Sequence, residues 1–230
     1  MLKSGKLANV IKEMRQAKLD VLGLTEVRWK DGGDFVSDGV RVINASGDES
    51  QRGVAVLLDG TEAKCITSVQ RYSDRLLVVN LHASPRDLVL IHVYMPTTAH
   101  TDEEVDVLYE QMEAILQEMK GNSYVMVLGD WNAVVGESPE DDCVGKFSLG
   151  SRNDRGHKLV EFCKRNRMMI TNTWFKHEKR RRYTWKSPGD YARYQLDYIL
   201  CIFASSLDFV ELVYFVLVSD HALLHSYPHH

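Results

Sequence analysis

The chain has 230 residues, of which 44% are hydrophobic and 26% are charged, and its formal net charge is -4. These totals exclude a disordered chain and a chain that is basic throughout. Any polyanionic partner must therefore be held by a local patch or by a metal ion. The length favours a single domain with a full core, spanning residues 1–230.

Cysteine usage and hydropathy restrict the compartment. The four cysteines lie far apart without a C-x-x-C pair, which argues against a zinc site or a disulfide framework and favours a reducing compartment. The N-terminal segment lacks the apolar core of a signal peptide. Residues 209–218 are apolar, but they contain Glu211 and are too few to span a bilayer. We expect an intracellular protein that is neither secreted nor bound to a membrane.

The first half of the chain predicts one helix and several strands. Apolar residues recur at helical spacing from Leu7 to Met14, and an apolar strand follows at residues 21–24, ending at Glu26. Gly32-Gly33 and residues 44–51 resemble loops. Segments rich in Val, Ile and Leu predict three strands, with a hairpin connection at residues 84–87 between the last two; these strands cover residues 52–58, 75–81 and 88–94.

The second half alternates helices and strands. Thr101, followed by three acids, predicts a helix start, and that helix should run to about Lys120 before Gly121-Asn122. Further segments predict a strand over residues 124–128, a helix over 155–166, and strands over 168–173, 195–200 and 219–224. Because several neighbouring strands look hairpin-joined, the order favours a mixed-sheet α/β sandwich over an all-parallel sheet.

One strand end carries an unusual set of polar residues. The apolar segment ending at Leu128 is followed by Gly129, Asp130, Trp131 and Asn132. Residues i and i+2 of a strand point the same way, so Asp130 and Asn132 could face one ligand together. A polar turn is an equally good interpretation, because Asp, Asn and Gly are common turn residues.

Polar residues also follow, close or interrupt other apolar strands. Glu26 follows one apolar strand, Tyr94 closes another, Asp197 lies inside an apolar stretch, and Asp220 and His221 follow a third. Each has a structural alternative, which is weakest for Asp197 because a buried ionised carboxylate needs a partner. Carboxylates with an amide and no thiolate suit a hard cation, Mg²⁺ or Mn²⁺, the usual partner of phosphate chemistry.

Basic residues cluster between residues 164 and 193 and are densest in KHEKRRRYTW, residues 176–185. A solvated hairpin tip is the ordinary interpretation of such a cluster. A DNA-contacting loop is favoured because cations adjoin aromatic rings that can stack on bases; the residues are Arg180, Arg181, Arg182, Tyr183 and Trp185. Arg28 and Trp29, just past Glu26, could extend this surface, although packing is an equally plausible role for Trp29.

Seven motifs occur along the chain in a recognisable order: GLTEVRW, VYMPT, GDWNAVVG, RNDRGHKLVEFC, YTWKSP, QLDYIL and SDHALL. In this order they resemble the endonuclease/exonuclease/phosphatase superfamily, which includes the apurinic endonucleases and DNase I. Their residues are most similar to the apurinic-type endonuclease domain of non-LTR retrotransposons of the RTE-like group. The resemblance covers nearly the whole chain and implies a DNase I-like, four-layer α/β/β/α sandwich of two mixed sheets.

The resemblance also implies the catalytic and metal roles. Glu26 matches the metal ligand, and Asp220 belongs to the same metal site. Asp130 matches the residue that orients or deprotonates the attacking water, and Asn132 matches the one that holds this water or a phosphate oxygen. Asp197 resembles the acid that supports the metal site.

Phosphate contacts are implied in the same way. Tyr94 resembles the tyrosine beside the scissile phosphate, and Asn153 matches the asparagine that touches backbone phosphate. Asp220 is expected to pair with His221, which would bind the phosphate as its charge rises. The implied partner is DNA, and the implied cofactor is Mg²⁺ or Mn²⁺.

The chain departs from the superfamily at both ends. Related domains open with a strand carrying an asparagine, in a phrase such as T-W-N-V-R, whereas Met1 directly precedes LKSGKL here. We expect a domain that lacks this first strand, exposes the neighbouring strand edges and holds Mg²⁺ less well. The tail HSYPHH implies a shortened C-terminus, and Tyr194 stands where relatives carry an asparagine that contacts phosphate.

The leading hypothesis is a Mg²⁺-dependent DNA endonuclease that hydrolyses a phosphodiester and leaves a 3′-hydroxyl primer. We expect a nuclear monomer, with a reverse transcriptase domain in the parent polyprotein. The alternative is a catalytically impaired remnant that binds nucleic acid or protein. A third hypothesis, a small-molecule or lipid phosphodiesterase of the same superfamily, is disfavoured by the arginine-rich segment, but fold alone cannot separate the three.

Overall fold

Two mixed sheets and a short ribbon form the framework in the computed structural model, which describes residues 4–47, 52–119, 123–202 and 215–218. The strands of the first sheet are Val21–Thr25 (β1), Gly33–Ser37 (β2), Val40–Ala45 (β3), Val54–Leu58 (β4) and Phe215–Val218 (β13). Those of the second are Ile66–Ser73 (β5), Leu76–Leu81 (β6), Leu88–Tyr94 (β7), Tyr124–Asp130 (β8), Met168–Ile170 (β9) and Asp197–Ile202 (β12). Trp185–Lys186 (β10) and Arg193–Tyr194 (β11) form the ribbon. The strand orders are β13-β1-β4-β3-β2 and β5-β6-β7-β8-β12-β9.

Three helices flank the sheets in the described part of the chain: Ser4–Gln16 (α1), Asp102–Glu118 (α2) and Asp154–Arg165 (α3). The Thr101 hydroxyl accepts the Glu104 amide at 3.4 Å and caps α2, which confirms the predicted helix start. The Asn153 carboxamide caps α3 by accepting the Gly156 amide at 2.8 Å. None of the described helices has both the length and the apolar character needed to cross a membrane.

Successive side chains of a strand face opposite sides of its sheet, and this alternation places them in different layers. In β4, Val54, Val56 and Leu58 face the second sheet, whereas the intervening Ala55 and Leu57 pack with α1. In β8, the side chains that alternate with the inter-sheet residues pack instead with α2 and α3. The result is the four-layer α/β/β/α sandwich that the sequence predicted.

The register of three neighbouring strands places the candidate residues side by side. β7 and β8 run parallel with Tyr94 opposite Asp130, and β8 and β12 run antiparallel with Asp130 opposite Asp197. The three residues share a strand face with inter-sheet residues such as Leu128. They therefore form one row at one end of the gap between the sheets.

Some local predictions were wrong. Gly33 begins β2 instead of lying in a loop, and Asn44 lies in β3; residues 48–51 of that predicted loop lie outside the described residues. Thr171–Thr173 forms a 3₁₀ turn where the sequence predicted strand. The edge strands β2 and β5 were missed because both are largely exposed, so no run of buried side chains marks them.

The exposed strand edges expected from the missing first strand do not occur at β1, because β1 is paired on both sides. β13 pairs with β1 in parallel, with Val21 opposite Phe215, while β4 pairs with the other side of β1. The predicted end of the second helix at Lys120, its stop signal at Gly121-Asn122 and the predicted strand at residues 219–224 lie outside the described residues.

Candidate active site

The motif around Asp130 is a polar turn that brings its carboxylate to the row. Asp130 Oδ1 accepts the Asn132 amide at 3.0 Å, a turn in which the side chain replaces a backbone acceptor. Asn132 adopts a φ of 46° and donates from Nδ2 to the Met95 carbonyl at 2.9 Å. Gly129 is required because a Cβ there would lie 2.0 Å from the Val93 carbonyl oxygen. The buried Trp131 fixes the turn by donating to the Tyr198 carbonyl at 3.1 Å.

Glu26 reaches the row from the opposite sheet. It follows β1 with a φ of 56°, a left-handed conformation that turns the chain at the strand end. The Tyr94 hydroxyl donates to Glu26 Oε1 at 2.6 Å, and Arg28 Nη2 donates to Oε2 at 2.8 Å. Burial, and then the bond to Glu26, raises the pKa of the Tyr94 phenol, which keeps this hydroxyl a donor.

Two buried carboxylates lie side by side on β8 and β12. Asp130 is 9% exposed and Asp197 2% exposed. Burial raises the pKa of Asp130 to about 7; the Asn132 amide opposes that rise, and the charge of Glu26 adds to it. Burial, and then the charge of Asp130, also raises the pKa of Asp197 well above its ordinary value. Neither oxygen of Asp197 meets hydrogen-bond geometry within the described ranges, although the nearby Thr184 side chain opposes the rise in its pKa. A proton or a cation would complete this buried pair.

The donor set suits a hard divalent cation, because it consists of carboxylate oxygens with an amide nearby and no thiolate. Glu26 and Asp197 are the described residues whose carboxylates would contact such an ion. Among the residues that the structure describes, no three His, Cys, Asp or Glu side chains converge closely enough to hold a metal ion by themselves. Asp220 and His221, assigned to the site from the sequence, lie outside those residues.

Other residues that the sequence assigned to the site or to the DNA surface make contacts within the protein. Asn153 accepts the amides of Val134 and Gly156 at 3.0 and 2.8 Å, so it joins the segment after Asp130 to the start of α3. Arg28 contacts Glu26, inside the site region. Trp29 packs against the α1 cluster and lies 5.8 Å, ring to ring, from Phe35, which favours its packing role.

The basic segment lies next to the site and is tied to it. Thr184 Oγ1 accepts the amides of Leu196 and Asp197 at 2.9 and 3.1 Å, which fixes the segment to the start of β12. Trp185 stacks on Tyr194 with ring centroids 5.8 Å apart. Tyr183 carries a cation on its ring, with Arg193 Cζ 4.8 Å from the centroid. Cations therefore lie on an aromatic ring here, but they are Arg193 and Lys186, whereas Arg182 lies over the ring of Phe147.

The arginines of this segment make local contacts. Arg180 donates to Glu178 at 2.7 Å, and Arg181 lies 3.8 Å from the same carboxylate. Arg182 donates to the His177 carbonyl at 2.6 Å. Arg180 is the most exposed of the three, with 73% of its side chain accessible.

Sequence reasoning missed two buried basic residues near the row, Arg75 and His92. Arg75 donates to the Tyr94 carbonyl at 3.1 Å, contacts His100 Nε2 at 3.2 Å and lies over the Tyr94 ring. Burial lowers the pKa of Arg75. His92 lies one layer deeper in the same strand as Tyr94. The available signal was a charged or titratable residue at the head of, or inside, an apolar strand.

Comparison with known proteins agrees with this architecture. No protein-family model matches the sequence. The chain is 37% identical over 199 residues to craniofacial development protein 2 of Bos taurus, an alignment that covers 86% of this chain and 33% of that protein. The chain thus spans about a third of the length of this relative.

Solved structures share the fold at low sequence identity. The endonuclease domain of TRAS1, a telomere-specific non-LTR retrotransposon, superposes with a TM-score of 0.60 at 16% identity, covering 87% of this chain and 81% of that one. The Neisseria 3′ phosphatase NExo, bound to a product DNA hairpin, gives a TM-score of 0.63 at 17% identity over 87% and 82% of the two chains. The chain therefore has the endonuclease/exonuclease/phosphatase fold, and its sequence is similar to part of craniofacial development protein 2.

Proposed function

We propose that this chain is a divalent-metal-dependent DNA endonuclease that hydrolyses a phosphodiester bond. One observation carries the proposal: Tyr94, Asp130 and Asp197 form a row across three strands, and Glu26 meets that row from the opposite sheet. Buried carboxylates are costly unless a proton or a cation completes them, so their presence at one sheet end supports a functional role.

The row supports a hydrolytic step at phosphorus. Asp130, whose pKa is about 7, is poised to accept a proton from the attacking water near neutral pH. Asn132, held by the Asp130 turn, holds that water or a phosphate oxygen. Tyr94 keeps its proton and lies beside the scissile phosphate. The water oxygen bonds to phosphorus while the P–O3′ bond breaks, which leaves a 3′-hydroxyl and a 5′-phosphate.

Mg²⁺ or Mn²⁺ is the proposed cofactor, held by Glu26 with Asp220. When bound, such an ion neutralises charge that develops on the phosphate. Asp197 supports this site from β12. His221, paired with Asp220, is proposed to bind the phosphate as its negative charge rises.

The ribbon and its flanks form the proposed DNA contact surface. Arginines offer phosphate contacts, and aromatic rings offer stacking surfaces for bases or sugars; the residues are Arg180, Arg181, Arg182, Tyr183 and Trp185, with Arg28 and Asn153 nearer the site. The bond between Thr184 and the Asp197 amide links this surface to the reacting centre. Support from known proteins comes from TRAS1, an endonuclease domain of a non-LTR retrotransposon, and from NExo, whose structure holds DNA. On this proposal, the chain descends from a retrotransposon with a reverse transcriptase in the parent polyprotein and acts as a monomer in the nucleus.

Nicking of supercoiled plasmid tests the proposal. We expect open-circular product with Mg²⁺ or Mn²⁺ and none with EDTA, and we expect a DNA polymerase to extend the nick because it carries a 3′-hydroxyl. Asp130→Ala and His221→Ala should each abolish cutting. A folded, monodisperse wild-type protein that leaves the plasmid intact at all metal concentrations would contradict the proposed activity.

A non-catalytic DNA-binding or protein-binding module is the second candidate. It is favoured because, within the described ranges, no three potential metal ligands converge. The name craniofacial development protein 2, carried by a relative, is compatible with it. DNA binding that is insensitive to EDTA, without nicking, would support this candidate over the first.

A further inference from the structure

A histidine lies fully buried between the two sheets, one layer beneath the row of site residues. His92 is in β7 and has no exposed surface. Its Nδ1 lies 3.0 Å from the Leu128 carbonyl oxygen in β8, and its Nε2 lies 2.9 Å from the Leu24 carbonyl oxygen in β1. One ring therefore joins a strand of its own sheet to a strand of the opposite sheet.

The three joined positions have a common relation to the site. His92, Leu24 and Leu128 each lie two residues before a residue of the site, namely Tyr94, Glu26 and Asp130. Two residues of strand correspond to about 7 Å. The ring thus bridges the sheets directly below the place where Glu26 and Tyr94 meet at 2.6 Å.

The fold makes space for this ring. A Cβ at Gly23 would lie 2.7 Å from His92 Cε1 and 2.9 Å from its Nδ1. The opposite strand therefore carries a glycine at the point where the imidazole crosses the gap. The neighbouring inter-sheet positions are aliphatic, for example Leu90 and Leu128, and could not bond to the two carbonyls.

The chemistry of the contacts makes them directional. A carbonyl oxygen only accepts hydrogen bonds; a neutral imidazole donates one and an imidazolium donates two. Burial lowers the pKa of His92, while the two carbonyls favour the doubly protonated ring. The neutral ring therefore donates to one of the two carbonyls while its second nitrogen packs against the other, which keeps both strands at contact distance.

We propose that His92 is a positioning residue, which sets the separation between Glu26 on one sheet and Tyr94 and Asp130 on the other. Its bond to the Leu24 carbonyl is the one that crosses between the sheets, so this bond should control the site geometry. The kinetic consequence rests on the proposed function, whereas the geometric consequence does not.

Three substitutions at this position separate the two bonds. The amide nitrogen of Gln reaches as far as imidazole Nε2, so His92→Gln should keep the inter-sheet bond. The amide nitrogen of Asn reaches only as far as Nδ1, so His92→Asn should keep the bond within one sheet. His92→Leu removes both. His82→Leu is the matched control, because the His82 side chain is exposed and contacts the nearby Asp87 at 2.8 Å.

Crystal structures of the metal-free variants and steady-state nicking kinetics give independent measurements. We expect His92→Gln and His82→Leu to retain the Tyr94–Glu26 hydrogen bond and a wild-type kcat. His92→Asn and His92→Leu should break that hydrogen bond and lower kcat about 10²-fold, as a misplacement of about 1 Å can do. Their KM for DNA should stay unchanged, because the basic ribbon is untouched.

A folded His92→Asn variant that retains the 2.6 Å hydrogen bond and full kcat would overturn the proposal. So would a loss of activity that merely follows the folded fraction of each variant. If His92→Leu does not fold, the comparison of Gln with Asn decides. If the wild type does not nick DNA, the proposed function fails, but the crystal structures still test the positioning role.

Discussion

The acidic row and the basic ribbon differ in the burial of their charged groups and in the partners of those groups. Asp130 and Asp197 are buried side by side, and neither oxygen of Asp197 meets hydrogen-bond geometry within the described ranges. The ribbon and the basic segment before it are exposed, yet their cations contact acids of the same region, as Arg193 contacts Asp190 and Arg180 contacts Glu178. The buried aspartates therefore favour their protonated forms, whereas the exposed acids stay ionised beside their cations.

This difference follows from the surroundings of each region. Burial raises the free energy of an ionised carboxylate, so a buried acidic pair is retained only where a proton or a cation completes it. Exposed ion pairs contribute only about 0–1 kcal/mol, so phosphate oxygens can replace the acids at little cost. On the proposed function, the row contributes to binding a cation, and the acids that contact the basic residues are exchanged for the phosphates of a polyanion.

The largest effect should come from neutralising the row. Asp130→Asn and Asp197→Asn should each lower kcat for nicking by about 10²-fold or more, because proton transfer and the charge of the site are removed. Their free energy of unfolding at pH 8 should not fall, since each change removes one of two buried like charges. Asp87→Asn, at the opposite end of β7, is the control and should cut normally. A fully active Asp197→Asn variant would show that the buried pair is not part of the reaction.

The next effect concerns pH and needs no catalysis. The pKa of Asp130 is raised from 3.8 to about 7 in the folded protein, so the folded state binds a proton more tightly than the unfolded chain does. In EDTA, its contribution to stability is fully present below pH 3.8, is lost as the pH rises through about 7, and then stays constant. Urea unfolding at several pH values should show this decline in the wild type and a weaker one in Asp130→Asn. Identical curves would contradict the raised pKa.

A smaller effect is expected at the ribbon. Replacing Arg180, Arg181 and Arg182 by Ala should weaken DNA binding and reduce the salt dependence of log Kd by up to about 0.9 for each phosphate that is no longer neutralised. The weaker binding should appear in fluorescence anisotropy as a higher Kd, with little change in kcat at saturating DNA. Lys6→Ala and Lys12→Ala on α1 form the control, because α1 packs on the first sheet. A changed kcat with unchanged Kd would place these arginines in the reaction instead of the binding surface.

The smallest effect should come from the acid that compensates the ribbon. Glu178→Gln releases Arg180 and Arg181 from their shared carboxylate while keeping the side-chain shape. DNA affinity should rise by a few-fold and become more salt dependent, because two cations no longer have a partner to exchange. Glu62→Gln, far along the chain in a short turn, should change neither quantity. Unaltered affinity in Glu178→Gln would show that these ion pairs do not compete with phosphate.

Local features of the chain were predictable because their causes lie within a few residues. The Thr101 cap, the three central strands of Val, Ile and Leu, and the turn after Leu128 are all specified by neighbours in sequence. The turn interpretation of the Asp130 segment is confirmed, and this turn presents the Asp130 carboxylate to the row. The family motifs in their order also indicated the sandwich that the structure shows.

Only the tertiary structure decided which side chains, distant in sequence, contact each other. The opposition of Asp130 to Asp197 and the bond from Tyr94 to Glu26 both depend on packing and register that no local pattern encodes. Edge strands such as β2 were invisible for the same reason, because pairing and not burial stabilises them. Sequence determined which side chains stand at each strand end, through alternation and capping that act over short distances. The fold determined their burial, and therefore their charge, because burial is a property of all the layers together.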